Sequence, residues 1–396
     1  MTRLYQPESC LLQYSNVECA TSGVEIPSAG NNKFCGGFFR RSTNLVPKKL
    51  KVLHVSEAFG GGVRSAIIHY ITGTDQYEHS LFARVRVGHE TLDVPEGVEV
   101  HQVDSGLKAF FLEARRVVRE GDYDIVHLHS SYAGALRAIL PRGTRIVYSP
   151  HCYVMEAGHG AVKNGVYFTV EKVLAQRRQM LVAVSPHEEQ IGHGLRDDMP
   201  SAVVENIVMP AKVRVGSSNS DSNAHRADDK PVISMIGRIM AQKDPEFFAH
   251  VCSELGTSRY RYRWIGEGDA DSRALLERAG VEITGWIPPN RVRELLRSSD
   301  LYLHTAAWEG GPLATLEAAD VGCPVLARSI PSMESLGYAL AGTQPHDAAQ
   351  AVDQFFADPE YRESVRLATK AIAQAGTLDR MSRNLVDAYD EAMRVL

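Results

Sequence analysis

The chain has 396 residues, more than one ordinary hydrophobic core comfortably holds, and this length predicts two domains of roughly 150 to 200 residues each. Hydrophobic residues make up 44% and charged residues 23% of it, a balance typical of soluble globular proteins that excludes fibrous and disordered classes. The formal charge of −5 supplies no general attraction to polyanions, so nucleic-acid binding is disfavoured.

No segment is expected to cross a membrane, because the apolar runs fall far below the roughly 20 residues that a spanning helix needs. The N-terminus lacks the basic stretch and apolar core of a secretory signal. We therefore expect a cytoplasmic protein, with peripheral attachment at the inner membrane face left open. Its 6 cysteines show neither a CxxC pair nor zinc-ligand spacing and are expected to be reduced and mostly structural.

Residues 1–48 are rich in Ser, Asn and Gly without a sustained hydrophobic period, which predicts a flexible N-terminal extension. Residues 49–210 then alternate short β-branched runs with helical spacing. The predicted elements are strand 52–55, glycine loop 60–62, helix 63–71, helix 107–120, strand 125–128, helix 133–140, strand 145–148, helix 166–179 and strand 180–184.

A polar, turn-rich segment over 211–230 predicts a linker or mobile loop. The alternation resumes over 231–375, and residues 376–396 contain an amphipathic helix. The predicted elements here are strand 232–236, helix 245–255, strand 262–265, helix 272–279, strand 281–284, helix 291–297, strand 301–305, helix 313–319, strand 325–327 and helix 378–393.

This alternation predicts an α/β fold in which parallel sheets carry helices on both faces. Two such Rossmann-like domains place the carboxyl ends of their strands on facing walls of an interdomain cleft. Open α/β sheets bind ligands at those strand ends. The functional site is therefore expected between the domains.

The most informative stretch is Trp308–Glu317, where a strand is followed by a glutamate, two glycines and the start of a helix. The first turn of such a helix offers free backbone N–H groups to a phosphate or a sugar hydroxyl. Glu317 follows Glu309 by about two helical turns and faces the same cleft if the helix begins near Pro312. Two carboxylates so placed suit the two ends of a nucleotide sugar. The alternative is an ordinary helix N-terminus with a favourable acidic neighbour.

A second feature is the pair Arg238 and Lys243 in a strand-to-helix loop. Both cations can point at one anion, the arginine as a planar fork and the lysine as a point charge. Together they can neutralise a diphosphate leaving group as its charge develops. A solvated loop with two unrelated cations is the alternative.

Several histidines, acids and glycines give weaker signals. The glycines at 60–62 can bring backbone close to a pyrophosphate but lack the spacing of a dinucleotide fingerprint, and Asp104 is badly placed for a ribose acid, so an NAD enzyme is disfavoured. His151 stands where a cleft-facing group contacts ligand, although a buried structural histidine fits equally. His127 and His129 alternate on a strand without a third ligand at metal spacing and are interpreted as structural or cleft-lining. Asp269 and Asp271 resemble a metal-nucleotide DxD pair, but their place in a turn favours the interpretation as part of a solvated loop.

The helix over 107–120 mixes apolar and basic residues. Such a helix can touch an anionic membrane surface. An ordinary amphipathic surface helix is the alternative.

Together these motifs resemble the retaining glycosyltransferases of family 4, which have the GT-B fold. Glu309 to Glu317 is similar to the family's EX7E element, and Gly237-Arg238 with Lys243 is similar to its Arg/Lys phosphate pair. The segments Gly266–Gly268, Gly285–Trp286 and Val204–Ile207 and the glycine loop at 60–62 are also similar. The resemblance spans roughly residues 51–393. The chain departs from the family pattern in having glycines at both positions after Glu309, followed by Pro312.

The resemblance implies transfer of a sugar, of hexosyltransferase type, from a nucleoside diphosphate sugar to an acceptor hydroxyl, with retention at the anomeric carbon. It also implies that no metal or cofactor is needed and that the leaving phosphate accepts the acceptor's proton. The residues so implicated are Arg238 and Lys243 on the diphosphate, Glu309 on the donor sugar, Glu317 on the ribose, the backbone of Gly310, Gly311, Pro312 and Leu313 on the phosphate and sugar, His151 near the transferred sugar, Gly61 and Gly62 in the loop closing over it, and Gly266 and Trp286 in the donor site.

The resemblance further implies an acceptor-side domain over 49–210, a nucleotide-sugar domain over 231–375 and a last helix over 376–396 that returns to the first domain. We expect a role in the assembly of a surface polysaccharide or glycolipid, with a glycan or lipid-linked acceptor. Two alternatives stay open. One is a nucleotide-sugar epimerase on the same fold, and the other is a non-catalytic subunit that binds sugar nucleotides.

Overall fold

The computed structural model describes residues 49–84, 94–104, 106–209 and 230–396. The predicted extension over 1–48 and all but the last residue of the predicted linker over 211–230 lie outside the described residues. Residues Lys49–Leu396 form one compact unit.

The first half of this unit is built on a parallel sheet with strand order β3-β2-β1-β4-β5-β6-β7. Its strands are β1 (Lys51–Ser56), β2 (Glu78–Arg84), β3 (Glu99–Val103), β4 (Ile125–His129), β5 (Ile146–Ser149), β6 (Met180–Ala183) and β7 (Ser201–Val203). Its helices are α1 (Gly61–Gly73), α2 (Leu107–Glu120), α3 (Ser130–Gly134), α4 (Ala161–Ala175) and α5 (Pro186–Leu195).

The second half repeats this architecture around a parallel sheet with strand order β10-β9-β8-β11-β12-β13. Its strands are β8 (Val232–Ile236), β9 (Arg261–Ile265), β10 (Val281–Ile283), β11 (Leu301–His304), β12 (Val325–Ala327) and β13 (Ala339–Leu340). The helices that follow β8 are α6 (Pro245–Leu255), α7 (Ala270–Arg278), α8 (Pro289–Arg297), α9 (Leu313–Asp320), α10 (Pro331–Ser335), α11 (Pro345–Ala357), α12 (Pro359–Ala375) and α13 (Leu378–Val395).

The predicted α/β architecture of two parallel sheets is confirmed, although several elements differ from the sequence prediction. Strands β2 and β3 were not predicted, because β2 carries polar residues such as His79 and Ser80 that are buried in the fold and break the apolar pattern. The helix predicted over 133–140 is instead the short α3 followed by a 3-10 turn over Ala135–Ala138. Helix α4 begins earlier than predicted, directly after Gly160, whose φ of 83° separates it from the preceding turn.

Side chains and prolines mark where several helices begin. Ser185 before α5, Asp244 before α6 and Thr377 before α13 each accept a hydrogen bond from a backbone N–H of the first turn. Proline is the first residue of both α5 and α6. Asp269 caps α7 by accepting a hydrogen bond from the Ser272 N–H at 2.9 Å.

Each sheet has its own core, and the last helix joins the first one. In the second half the core contains the fully buried Trp264, Tyr302 and Phe248. Helix α13 packs against α1 and the strands β4 to β7, where Leu385 and Tyr389 belong to the same cluster as Val52. This packing places the end of the chain on the sheet of the first half.

Helix α2 buries part of its apolar face in the core and pairs one of its arginines with glutamates on its own exposed face. Phe110 is fully buried in the core, and Arg116 forms ion pairs with Glu113 and Glu120. Leu107 and Leu112 are the large apolar residues that it leaves exposed. Among the described residues, no helix has the length and apolarity that crossing a bilayer requires.

Candidate active site

The loop after β11 in the second half contacts the loop after β5 in the first half. A Cβ atom placed on Gly310 would lie 2.7 Å from the backbone nitrogen of Cys152 and 3.0 Å from the carbonyl carbon of His151. A Cβ on Gly311 would lie 3.1 Å from the carbonyl oxygen of Val184. The two glycines after Glu309 therefore permit a backbone approach that any larger residue would obstruct.

Glu309 is held by the second cationic residue of the predicted pair. Lys243 lies at the end of a 3-10 turn over Ala241–Lys243, and its Nζ forms a short ion pair with Glu309 Oε1. The two side chains are only 15% and 9% exposed, so the pair is largely shielded from water. The Thr305 hydroxyl donates to the Lys243 carbonyl at 2.9 Å and fixes this turn against the end of β11. The structure thus brings Lys243, Glu309, Gly310 and His151 together.

A buried histidine that the sequence analysis did not single out stands behind this ion pair. His304 ends β11, and its Nε2 lies 3.7 Å from Glu309 Oε1 without a hydrogen-bond partner among the described residues. Burial and the charge of Lys243 both lower the pKa of His304. Since the ring is neutral, it adds no second positive charge next to Glu309.

Arg238 occupies different surroundings from Lys243. Its side chain is exposed, and in the part of the chain that the structure describes it makes no ion pair. Gly266 packs behind it, because a Cβ there would lie 2.1 Å from the carbonyl oxygen of Gly237. Arg238 is therefore a cation presented to solvent at the end of β8.

The remaining predicted donor-site residues divide between the cleft and the surface. Leu313 begins α9 after Pro312, and its Cδ1 lies 3.8 Å from a Cβ placed on Gly62, so the glycine loop of the first half meets α9. Gly61 next to it has a φ of 54°. Glu317 on α9 is half-buried, and this burial raises the pKa of its carboxyl while Arg293 opposes the rise. Trp286 is 79% exposed, and the structure does not bring it into contact with the residues above.

The His151 loop has a backbone conformation that residues other than glycine rarely adopt. The φ angles of His151 and Cys152 are 52° and 87°. The buried carboxylate of Glu188 accepts hydrogen bonds from the backbone N–H groups of Cys152 at 2.6 Å and Val184 at 2.8 Å. Burial raises the pKa of Glu188 to about 7, against the effect of these two donors. Such strain persists only where the surrounding structure enforces it, and here Glu188 does so.

Glu188 is a positioning residue that the sequence analysis missed. Its place three residues after Ser185 is typical of a capping box, in which the side chain turns back to its own helix. In the fold the carboxylate instead reaches the loop after β5. The sequence holds no signal for this contact, because two separate strand ends must first be brought side by side.

His151 is half-buried at the end of a group of ring-stacked histidines. Burial lowers its pKa to about 4, so its imidazole is neutral near neutral pH. The expectation that His127 and His129 have no third histidine nearby is wrong, because β1 pairs with β4 and places His54 beside both of them. Both nitrogens of His127 are nevertheless engaged, by Tyr389 Oη and Ser149 Oγ at 2.9 Å each, and this hydrogen bonding does not suit a metal site.

A largely apolar pocket of about 460 Å³ adjoins Glu309. Trp308 and Phe168 contribute aromatic surface to it, and His187 and Glu156 form a hydrogen bond of 2.7 Å at its wall. Phe168 comes from α4 in the first half and Trp308 from the second. The pocket therefore lies between the two sheets and next to the ion pair.

Comparison with known proteins agrees with this arrangement. The sequence model described as Glycosyltransferase Family 4 matches residues 66–211, and the model described as Glycosyl transferases group 1 matches residues 217–371. The two matches together span most of the described residues. They divide where the two sheets divide.

Individual relatives share modest identity over much of their length. An uncharacterized 41.2 kDa protein in the cps region of Klebsiella pneumoniae is 23% identical over 72% of this chain and 82% of its own length. The UDP-Gal:alpha-D-GlcNAc-diphosphoundecaprenol alpha-1,3-galactosyltransferase of Escherichia coli is 25% identical over 54% of this chain and 60% of its own.

The fold is also that of solved structures. The crystal structure of Anabaena Alr3699/HepE in complex with UDP-glucose superposes with a TM-score of 0.69 at 17% identity, covering 86% of this chain and 100% of that one. Since the two glycosyltransferase family models together match both halves, the chain belongs to glycosyltransferase family 4, and its two parallel-sheet domains, which superpose on that solved structure, have the GT-B fold.

Proposed function

We propose that this protein transfers a hexose from a nucleoside diphosphate sugar to a hydroxyl of a lipid-linked glycan acceptor, with retention at the anomeric carbon, in the assembly of a surface polysaccharide or glycolipid. The observation that carries the proposal is the convergence of Lys243, Glu309, Gly310 and His151 where the two halves meet. Two similar proteins support the substrate classes: the E. coli relative is named for UDP-galactose and a diphosphoundecaprenol-linked acceptor, and the Anabaena structure contains UDP-glucose.

The donor diphosphate is proposed to lie between Arg238 and Lys243. When the bond between the sugar carbon and the diphosphate oxygen breaks, negative charge develops on the leaving phosphate, and the two cations stabilise that charge. They do so without a metal ion in this proposal. The acceptor oxygen forms the new bond to the sugar carbon, and its proton passes to the leaving phosphate.

The carboxylates are proposed to hold the two ends of the donor. Glu309 accepts hydrogen bonds from sugar hydroxyls, and Glu317 accepts them from the ribose. In the structure Lys243 is paired with Glu309. Donor binding therefore has to replace part of that ion pair with contacts from Lys243 to the phosphate and from Glu309 to the sugar hydroxyls. The N–H groups at the start of α9, with those of Gly310 and Gly311, contribute further donors.

A lipid-linked acceptor is proposed to reach the site along α4, at the cytoplasmic face of a membrane. Val162, Val166, Val170 and Val173 are all exposed and lie on one face of this helix. Phe168 of the same helix lines the apolar pocket beside Glu309. This stripe offers a larger apolar surface to a membrane than Leu107 and Leu112 of α2.

The function is tested first by donor binding and product analysis. A panel of UDP-, GDP- and dTDP-sugars is screened by thermal shift, because a ligand that binds only the folded state raises the melting temperature. The stabilising donor is then incubated with a polyprenyl-diphosphate-linked sugar, and NMR of the product reports its anomeric configuration. Retention supports the proposal, whereas inversion or the absence of a transfer product contradicts it. Incubation with the donor alone identifies an epimerase if the sugar configuration changes.

The role of Arg238 is tested by Arg238→Gln, with Arg297→Gln at the exposed end of α8 as the matched control. Because Arg238 has no ion pair among the described residues, its loss is expected to leave the melting temperature unchanged. Donor affinity is expected to fall at least about tenfold, since a charge-assisted hydrogen bond contributes about 1.5 to 3 kcal/mol. Equal affinities of the two variants would remove Arg238 from the donor site.

A further inference from the structure

Four histidine rings form a hydrogen-bonded row through the sheet of the first half. His79 at the start of β2, His54 on β1, His129 at the end of β4 and His151 after β5 follow one another across adjacent strands. The nitrogen–nitrogen distances are 3.1 Å from His79 Nδ1 to His54 Nε2, 3.0 Å from His54 Nδ1 to His129 Nε2, and 3.0 Å from His129 Nδ1 to His151 Nε2. We call these four residues the histidine row.

The direction in which the hydrogen bonds of the histidine row run is set at His79. His79 Nε2 lies 2.9 Å from the carbonyl oxygen of Thr74, which can only accept, so this nitrogen must carry the proton. The Thr74 hydroxyl also lies close to it but donates its own proton to the Tyr70 carbonyl at 2.6 Å. The hydroxyl therefore accepts from His79 as well, and it does not supply a proton.

Counting the protons along the row then fixes the tautomer of each ring. Burial lowers the pKa of each of the four histidines, so each is neutral and carries one N–H. With its proton on Nε2, His79 has a bare Nδ1 that accepts from His54 Nε2–H. The same pattern repeats from His54 to His129 and from His129 to His151. All four rings are thus Nε2–H tautomers, and His151 is left with a bare Nδ1.

We propose that His79, His54 and His129 are positioning residues that hold His151 in the Nε2–H tautomer, so that its Nδ1 is presented to the cleft as a hydrogen-bond acceptor without charge. No hydrogen bond to His151 Nδ1 is found among the described residues, and the loop that carries the ring touches Gly310 beside Glu309. A ligand group at this nitrogen must donate a hydrogen bond. A sugar hydroxyl meets that requirement, whereas a carboxylate is repelled by the lone pair.

The other groups packed against the row are compatible with this assignment. Tyr70 on α1 stacks near His129 and His151, Tyr389 on α13 and Ser149 on β5 bind His127, and Glu188 on α5 holds the backbone next to His151. The rings of the row are also too fully engaged to bind a metal, because both nitrogens of His54 and His129 take part in its hydrogen bonds. If these strands only had to pack against each other, apolar side chains would suffice, and no hydrogen bonds running in one direction through four rings would be needed.

The test is the nitrogen NMR spectrum of histidine-labelled protein without ligand, in which bare and protonated ring nitrogens are well separated. The wild type is expected to show a bare Nδ1 and a protonated Nε2 at His151 at neutral pH. His79→Phe removes the anchor three rings away, so neither direction of the row is favoured, and the Nε2–H share at His151 is expected to fall to about half. His79→Gln is expected to restore it, because its amide both accepts from His54 and donates to Thr74.

Two results would overturn the proposal. One is a protonated Nδ1 at His151 in the wild type, and the other is an unchanged His151 signal in a folded His79→Phe variant. If that variant does not fold, the wild-type and His79→Gln spectra still decide the matter. His193→Phe, at an exposed histidine outside the row, is the control and should leave His151 unchanged.

The identity of the ligand group rests on the proposed function and has its own measurement. Calorimetry compares the donor found by thermal shift with analogues that each lack one sugar hydroxyl. Loss of the hydroxyl that binds His151 should weaken binding to the wild type about tenfold, with this ratio reduced in His79→Phe. The same ratio in both proteins for every analogue overturns the assigned ligand class. If no sugar nucleotide binds while the tautomer is as expected, the donor assignment fails and the positioning role of the row stands.

Discussion

The ion pair of Lys243 with Glu309 allows structure and function to be separated by paired substitutions. Lys243→Met leaves the Glu309 carboxylate, only 9% exposed, with Gln242 at 3.5 Å and the neutral His304 at 3.7 Å. Removing one partner of a buried pair costs about 3 to 5 kcal/mol, and the residual exposure here places the expected loss near about 3 kcal/mol. Glu309→Gln is expected to cost a similar amount, because it leaves Lys243 without its partner.

The double variant Lys243→Met with Glu309→Gln is expected to be nearly as stable as the wild type, since it buries no unpaired charge. The coupling energy of the cycle should therefore exceed about 2 kcal/mol. Urea unfolding measures it through tryptophan fluorescence, and all 3 tryptophans lie in the second half with the ion pair. The exposed pair Arg116 and Glu113 on α2 is the control cycle, with an expected coupling of about 0.5 kcal/mol.

Donor binding gives the cycle a second readout. If the proposed function is correct, the stable double variant should still fail to bind the sugar nucleotide, because it lacks both the cation and the carboxylate. If the free-energy losses of the two single variants simply add in the double variant, Lys243 and Glu309 do not stabilise each other, and the expected coupling is refuted. A double variant that binds donor like the wild type would instead remove both residues from the donor site.

Other consequences can be measured on the same protein. Gly310→Ala should cost about 1 to 3 kcal/mol and lower transfer, because the added Cβ meets Cys152 at 2.7 Å, whereas Gly194→Ala on α5, where a Cβ meets nothing within 4 Å, should be neutral or slightly stabilising in urea unfolding. Glu188→Gln should cost about 1 to 3 kcal/mol and slow transfer, since an amide oxygen satisfies only one of its two N–H donors; Glu189→Gln is the control, and equal kinetics of the two would contradict the positioning role. Acid should destabilise the protein: burial lowers the pKa of His54, His127 and His129, so stability present above pH 6.5 is lost as the pH falls, by about 1.4 kcal/mol per histidine at about pH 5.5. Glu188 has a raised pKa, so between about pH 7 and pH 4.5 it stabilises the folded protein as the pH falls, opposite to the histidines. The free energy of unfolding is therefore measured against pH in the Glu188→Gln variant. A stability there that does not change with pH would refute the assignment of neutral histidines.

Much of the second half could be predicted from local sequence. Its strands are short apolar runs followed by glycine or a polar turn, and helices such as α6 begin at a cap and a proline. The glycines after Glu309 were evident as a loop, and their spacing to Glu317 suggested the family. Strands β2 and β3 were not evident, because polar side chains that pair only in the folded protein interrupt their apolar pattern.

The sequence by itself determined that two α/β units are present and which loops carry carboxylates, cations and glycines, because chain-local periodicity and spacing encode these features. Only the tertiary structure decided which of those groups meet: Lys243 with Glu309, Gly310 with the His151 loop, and Glu188 with the backbone of Cys152. It also turned four histidines that are scattered along the chain between positions 54 and 151 into one hydrogen-bonded row, whose ends are His79 and His151 although the inner member His54 precedes both in the chain. The physical reason is that strand order in a parallel sheet joins residues distant in sequence, and hydrogen bonds between them exist only once that order has formed.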